Sequence, residues 1–388
     1  MTAERTQGDV LRMTVPAEPD NSVEMLIRTP SGESRTAIVD PYDGSVIGTI
    51  PEGGVMQIVR KIHSLQYFGF WASCLVEIAA GWAIVLALSG IFLWWPRGKS
   101  GGALTVRGTP KIRMFWRDLH AVTGLFTSSL IVFLAVTGMP WSQVWGKYVQ
   151  DWTTAAGLGQ PAPPPGVVPD WQLGQKKSGG HVHDSGKQSQ ANLPWAFEQF
   201  APPESAALAK DPIDADQAIA ILDALGLKKS FSLALPSGPT GAYTAASRPP
   251  RAEDTRVIYL DQYSGKVLGD TGFSQYGPAA KAIEWGIAVH QGQEYGPVNR
   301  YVMLAGCLGI IVLTISAPVM WWKRRPKGSF GMPPATASRR AAMGVLAVMA
   351  IAGMLYPLVG LSIMAVLIVE RLYELTRRRL AWQGRVTQ

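Results

Sequence analysis

Long apolar runs, separated by polar stretches, dominate the hydropathy pattern of this 388-residue chain. A helix needs about 20 apolar residues to cross a bilayer, and three runs reach that length: 71–95, 119–141 and 298–322. A fourth run, 341–369, is interrupted by Pro357 and Gly360, and it predicts either one tilted span or a helical hairpin. The pattern predicts an α-helical transmembrane bundle with three clear spans and a fourth, broken apolar segment.

Charge and composition agree with a membrane protein. Hydrophobic residues make up 47% of the chain and charged residues 16%, where soluble domains have about 25% charged residues. The net charge is +8, and the basic residues lie beside the apolar runs. This placement indicates that they set the orientation of the chain in the membrane, and it predicts no nucleic-acid partner. The loop 97–117 holds six basic residues and no acid, so we expect it to be cytoplasmic, together with 324–340. The large segment between the second and third spans is then external.

These patterns divide the chain into nine segments. The N-terminal segment is polar without a cleavable signal peptide, so the first span has to carry it outward. The predicted segments are an external N-terminal module (1–62), the first span (63–97), a basic cytoplasmic loop (98–117), the second span (118–142), an external domain (143–289), the third span (290–323), a cytoplasmic loop (324–340), a span or hairpin (341–370) and a basic tail (371–388).

An internal repeat links the two external parts. The segment AIVDPYDGSVIGTI at 37–50 matches IYLDQYSGKVLGDT at 258–271. Each predicts two strands joined by a tight turn, in which a glycine takes a positive φ. After a short insertion, His63 in HSLQYFG aligns with His290 in HQGQEYG. The repeated unit is therefore a small α/β module, then a histidine, then a span.

Further elements are predicted within these modules. In the second module, Asp214 and Gln217 predict a capping box that begins an amphipathic helix, DADQAIAILDALG. FSLAL, GAYTAA and TRVIYLD predict strands there, as VEMLIR and RTAIVD do in the first module. The stretch 160–190 is rich in Pro, Gly and Lys and predicts a flexible loop.

Three of the five histidines lie at span ends. His63 and His290 are at the external ends of the first and third spans, and His120 is at the cytoplasmic end of the second. Neutral imidazole is an axial ligand of haem iron, and neighbouring glycines (Gly69, Gly124, Gly296) would let a flat macrocycle approach the backbone. The alternative is a polar side chain reaching the interface. The repeat favours the ligand interpretation for His63 and His290, whereas both interpretations stay open for His120.

Other polar residues give weaker signals. His181 and His183 form a H-x-H pair, for which a solvated loop is favoured over a metal site. Glu77 lies within the first span, either as an interior proton or cation handle or as a hydrated surface residue. Cys74 and Cys307 are expected to be packed thiols. No nucleotide-binding motif or hydrolase triad is present in the sequence, and no catalytic residue is assigned.

The motifs together resemble a known family. VDPYDGSVIG and LDQYSGKVLG resemble PepSY domains, and LHAVTGLFTSSLIVFLAVTG and GWAIVLALSGIFLWWPRG resemble PepSY-associated transmembrane helices. LYPLVGLSIMAVLIVERL resembles the C-terminal segment of that family. The resemblance implies a multi-pass protein of the bacterial inner membrane, with two small α/β PepSY-like modules in the periplasm.

The family includes inner-membrane ferric-siderophore reductases, and the resemblance implies their chemistry. One or two haem b groups would be bound by His63, His290 and His120. Electrons from a cytoplasmic or quinone donor would reduce a ferric siderophore and release Fe(II), an oxidoreductase activity. Trp171, Trp195 and Tyr243 in the external domain are candidate substrate contacts, with core packing as the equal alternative for each. The alternative is a membrane-anchored PepSY binding or inhibitory module without redox activity. A metal-chelate transporter is a third hypothesis, disfavoured by the few spans.

One departure from the family pattern concerns His120. Similar proteins begin with a further helix that carries a histidine, which we expect near His120, whereas this chain begins inside the first module. Three explanations stay open: the true start lies upstream of Met1, a second polypeptide supplies the helix, or the protein holds a single six-coordinate haem.

Overall fold

The structure is a computed structural model that describes residues 8–95, 104–159, 193–197, 202–206, 211–247, 249–325 and 338–386. The chain folds into two compact units. The first, here called the sheet unit, comprises Met1–Gly69 and Tyr148–Asn299. The second, the helical unit, comprises Phe70–Lys147 and Arg300–Gln388. The polar segments predicted on either side of the first two spans therefore join into one unit.

The sheet unit contains one eight-stranded antiparallel sheet. Its order is β4-β3-β2-β1-β5-β6-β7-β8, so each half of the sheet is a meander of four consecutive strands. The strands are β1 (Asp9–Val15), β2 (Val23–Arg28), β3 (Ser34–Val39), β4 (Val46–Pro51), β5 (Phe231–Ala234), β6 (Ala242–Ser247), β7 (Arg256–Asp261) and β8 (Val267–Gly272).

The two halves join through their first strands. β1 pairs with β5 antiparallel, with Met13 opposite Leu233 and Val15 opposite Phe231. The sequence repeat is thus a structural repeat around this central pair. The predicted turns are also confirmed, because Gly44 and Gly265 occupy the same turn position and both have a φ of +68°.

The second half of the sheet is buried on both faces. On one face lies α5 (Ala215–Ala224), which begins with the predicted Asp214–Gln217 capping box and packs Leu222 against Phe231 and Ile258. On the other face, α6 (Pro278–His290) and a short helical turn, Trp195–Phe197, pack against Val257 and Tyr259. The first half has its own core of Met25, Ile27, Ala37 and Val39.

The helical unit contains the three predicted spans. They are α2 (Phe70–Trp94), α3 (Arg113–Gly138, extended by a turn at Met139–Trp141) and α7 (Gly296–Arg324), and each is long and apolar enough to cross a membrane. α3 and α7 pack through small residues, since a Cβ added at Gly306 would contact Leu130 at 3.4 Å and one at Gly309 would overlap Thr127.

The fourth apolar run forms two helices that meet at Tyr356. They are α8 (Arg339–Leu355) and α9 (Pro357–Val386), and Gly353 and Gly360 allow a close backbone approach beside the break. Both helices pack against α2. On α9, Ser362 Oγ accepts a hydrogen bond from Trp82 Nε1 at 3.0 Å. This run is therefore not one continuous helix, and whether it crosses the bilayer stays a prediction.

Candidate functional site

His63 and His290 occupy equivalent places in the two halves of the sheet unit. His63 is the last residue of α1 (Gly54–His63), the helix that follows β4. His290 is the last residue of α6, the helix that follows β8. A short loop then leads to α2 in one case and to α7 in the other. The predicted order of module, histidine and apolar helix is therefore present twice.

Each of these loops ends at a glycine with positive φ. Gly69 has a φ of +85° immediately before α2, and Gly296 has a φ of +63° at the first residue of α7. A side chain would strain this left-handed backbone, which is a reason for glycine independent of any cofactor. A Cβ added at either position would meet no atom of the described residues within 4 Å. Room for a flat ligand beside these two glycines stays a prediction.

The two histidines differ in exposure. His63 is exposed and lies one turn after Val59 on the surface of α1, whereas His290 is half-buried at the end of α6. Each imidazole lies in the last turn of its helix, and imidazole nitrogen is a common ligand of metal ions.

His120 lies on α3 and bonds to α7. Its Nδ1 is 2.8 Å from Ser316 Oγ, and that hydroxyl donates to the carbonyl of Leu313 at 3.2 Å. The serine has one hydrogen to donate. When it is donated to Leu313, His120 Nδ1 carries the ring proton and Nε2 keeps its lone pair. A hydrogen bond at one ring nitrogen is how metal-binding histidines are usually oriented.

The glycine near His120 lies at a contact between two helices. Gly124 is one turn after His120, and a Cβ added there would lie 3.7 Å from Leu313 Cδ2 on α7. This glycine therefore lies where α3 packs against α7, and room for a macrocycle beside it stays a prediction.

A comparison with protein families identifies the chain. The family model described as the PepSY-associated TM region matches residues 1–324. The chain belongs to this family. The match includes both halves of the sheet and the three apolar helices α2, α3 and α7. The protein is thus a multi-pass membrane protein with a separate antiparallel sheet. The comparison with curated proteins gives no match.

In this PepSY-associated membrane protein, Glu77 serves as a helix cap. Its side chain is 1% exposed and accepts hydrogen bonds from the backbone N–H of Val144 at 3.0 Å and of Trp145 at 3.2 Å. These N–H groups lie at the start of α4 (Trp145–Ala155). The first backbone N–H groups of a helix have no acceptor within the helix, and the Glu77 carboxylate supplies one. The alternative of a hydrated surface residue is wrong. Glu77 faces the interior, where its oxygens stabilise α4.

A buried ion pair at the start of α3 was not predicted. Asp118 is 1% exposed and pairs with Arg107 at 2.8 Å and with Arg117 at 2.7 Å. The sequence showed these arginines only as members of a basic loop. The pairing with Arg107 depends on the loop folding back on α3, which charge counting cannot reveal.

Two of the proposed substrate contacts belong to the core. Trp195 is 1% exposed and packs with Phe197 and Tyr259, and the Tyr243 hydroxyl donates to the carbonyl of Ile213 at 2.8 Å. Both residues are therefore corrected to structural roles. Trp171, His181 and His183 lie outside the described residues.

Within the part of the chain that the structure describes, no group of three or more His, Cys, Asp or Glu side chains could hold a metal ion. A haem iron held by two histidines is a different kind of site. Cys74 and Cys307 are both free, as predicted, but Cys307 is exposed and not packed inside.

Proposed function

We propose that this protein is a haem-dependent electron carrier of the bacterial inner membrane. In this proposal it reduces a ferric siderophore in the periplasm, where the sheet unit would lie, and releases Fe(II) for uptake. The observation that carries the proposal is the equivalent placement of His63 and His290 at the ends of α1 and α6. A repeat that keeps a histidine before both apolar helices favours a shared ligand role over two chance interfacial residues.

The residues meet the donor requirement of haem b. His63 and His290 would bind one haem as axial ligands, and His120 is the candidate ligand for a second. Ser316 supports this role for His120, because it leaves Nε2 as the nitrogen with a lone pair. Bound haem would supply one-electron transfer, with its potential set by the axial ligands and by burial.

The electron balance requires a donor. One electron from a quinol or from a cytoplasmic reductant converts the Fe(III) of the chelate to Fe(II). Hard oxygen ligands hold Fe(II) less tightly, because it is softer and less charged. Reduction at the outer face would thus free iron from its chelator without moving the siderophore through the membrane. The basic loops flanking the apolar helices support this orientation.

The test is iron reduction across a sealed bilayer. Proteoliposomes would hold a quinol in the membrane or dithionite inside, with a membrane-impermeant ferric siderophore and an Fe(II)-specific dye outside. We expect external Fe(II) to form only when both protein and reductant are present, at a rate well above that of protein-free vesicles. Iron entry without reductant would indicate a transporter, and the absence of external Fe(II) would contradict the proposal.

The alternative of a binding or inhibitory module has one observation in its favour. As far as the structure describes the chain, β4 and β8 are the edge strands of the sheet, and Ile47 and Ile50 on β4 are exposed. An exposed edge strand can pair with a strand of another protein. Binding of an external protein by a haem-free sample would favour this alternative.

A further inference from the structure

The helix α1 presents its apolar side outward. Val55, Ile58, Val59 and Ile62 recur at the spacing of one helical face and are 74%, 38%, 52% and 54% exposed. None of the ten residues of α1 is buried. Gln57 and Lys61, on the opposite side, are half-buried. The polar side of α1 is therefore the better covered one, the reverse of an ordinary surface helix.

The equivalent helix in the other half behaves differently. α6 buries Ala280, Ile287 and Val289, and it packs against the sheet and the turn at Trp195–Phe197. A helix at this position of the repeat can therefore have its apolar face covered by other parts of the protein. On α1 the described residues leave that face without a protein cover, although uncovered apolar surface of this kind is costly in water.

The chain next to α1 indicates what covers it. Six residues separate His63 from Phe70, the first residue of α2, and a chain of that length extends at most about 25 Å. The tether holds α1 near the end of a helix long and apolar enough to cross a membrane. Tyr67, Phe68, Phe70 and Trp71 lie in or beside this tether, and all four are exposed. Aromatic residues concentrate at the level of lipid headgroups.

We propose that α1 lies in the membrane interface, with the face formed by Val55, Ile58, Val59 and Ile62 inserted among the phospholipids. This orientation is typical of amphipathic helices that bind a bilayer in its plane. The occupant is the lipid of the same bilayer that α2 crosses.

Depth-dependent fluorescence quenching tests this placement on the full chain. Cys74→Ala and Cys307→Ala provide a background for single cysteines at Val55, Val59 and Ile62, with Gln57 as the matched position on the opposite face of α1. Each variant is labelled with the fluorophore NBD and reconstituted in nanodiscs that contain an anionic phospholipid. Quenchers are lipids that carry a nitroxide at a shallow or a deep acyl position. The readout does not depend on haem, so a colourless protein leaves it intact.

We expect quenching at Val55, Val59 and Ile62 to exceed quenching at Gln57 by about twofold or more, and to be stronger with the shallow nitroxide. Emission typical of water at Val59, with equal quenching on both faces of α1, would overturn the proposal. A blue-shifted emission without lipid quenching would also overturn it, since this would show that a protein segment covers the face. Wild-type-like oligomeric state in size-exclusion chromatography checks each variant.

Discussion

Replacing either His63 or His290 by alanine should lower the occupancy of the haem site that these two residues form to below about a tenth of the wild-type value, and it should leave any haem at His120 in place. Loss of a residue that merely orients a metal ligand costs about 10–100-fold in affinity, and loss of an axial ligand should cost at least as much. The effect should be equal at the two positions, because they hold the same place in the repeat. Haem per chain is measured by the pyridine haemochrome spectrum of the purified variants.

The matched control is the double variant His181→Ala with His183→Ala. This double variant removes two other imidazoles, from a segment that the repeat does not include. Its haem content should equal that of the wild type. His63 is exposed at the end of α1, so its loss leaves no cavity in a core. Circular dichroism and size-exclusion chromatography confirm that the variants fold. Full haem in both single variants would rule out the His63–His290 pair.

Asp261→Ala should destabilise the β7–β8 turn by about 3 kcal/mol, because it removes charge-assisted hydrogen bonds from a buried site. Asp261 is 4% exposed. Its carboxylate accepts from the backbone N–H of Tyr263 at 3.0 Å and of Ala206 at 3.0 Å, and from both N–H and hydroxyl of Ser264 at 2.7 and 2.8 Å. Hydrogen–deuterium exchange of peptides that cover β7 and β8 measures the loss.

The repeat supplies the control for this variant. Asp40 holds the same turn position in the first half, is only half-buried, and accepts from the N–H of Tyr42 at 2.8 Å. Asp40→Ala should therefore cost about 1 kcal/mol in the β3–β4 turn. Equal protection losses in the two turns would contradict the different roles assigned to these carboxylates.

The contribution of Asp261 should depend on pH in a defined direction. Burial by itself raises the pKa of the Asp261 carboxyl, but the hydrogen bonds from Ser264, Tyr263 and Ala206 outweigh burial and hold the pKa below its ordinary value. Because the pKa is lower in the folded state, the ionised carboxylate stabilises the fold at pH values above the unfolded-state pKa of about 3.9. This stability is lost as the pH falls through the folded-state pKa. The difference in exchange between wild type and Asp261→Asn should therefore shrink below about pH 4.

The parts of the fold that sequence could predict rest on local periodicity. The three apolar helices follow from run length, and β2 to β8 follow from strand-like segments and turn glycines. β1 was missed because its register shifts between Val10 and Arg12, which breaks simple alternation. The pairing of β1 with β5 was also missed. It joins residues more than 200 positions apart, and no local pattern specifies such a partner.

The candidate site was predictable only where the repeat marked it. Aligned motifs singled out His63 and His290 without any knowledge of the fold. Ser316 was missed as the partner of His120, because a serine in an apolar run gives no sign of which helix it faces. Trp195 and Tyr243 stayed undecided for a related reason, since an aromatic residue in a polar domain can lie in the core or at a binding surface. Their burial became evident only from the packing of α5, α6 and the sheet.

The central claim is that this membrane protein carries haem b between paired histidines. The most direct measurement is the optical absorption spectrum of the purified full chain in detergent, oxidised in air and then reduced with dithionite, with haem counted per chain. We predict sharp low-spin b-type bands on reduction. One haem per chain would assign the site to His63 and His290, and two would add His120. A colourless protein, even after haem is supplied during expression, would contradict the claim and leave the anchored binding module as the better account.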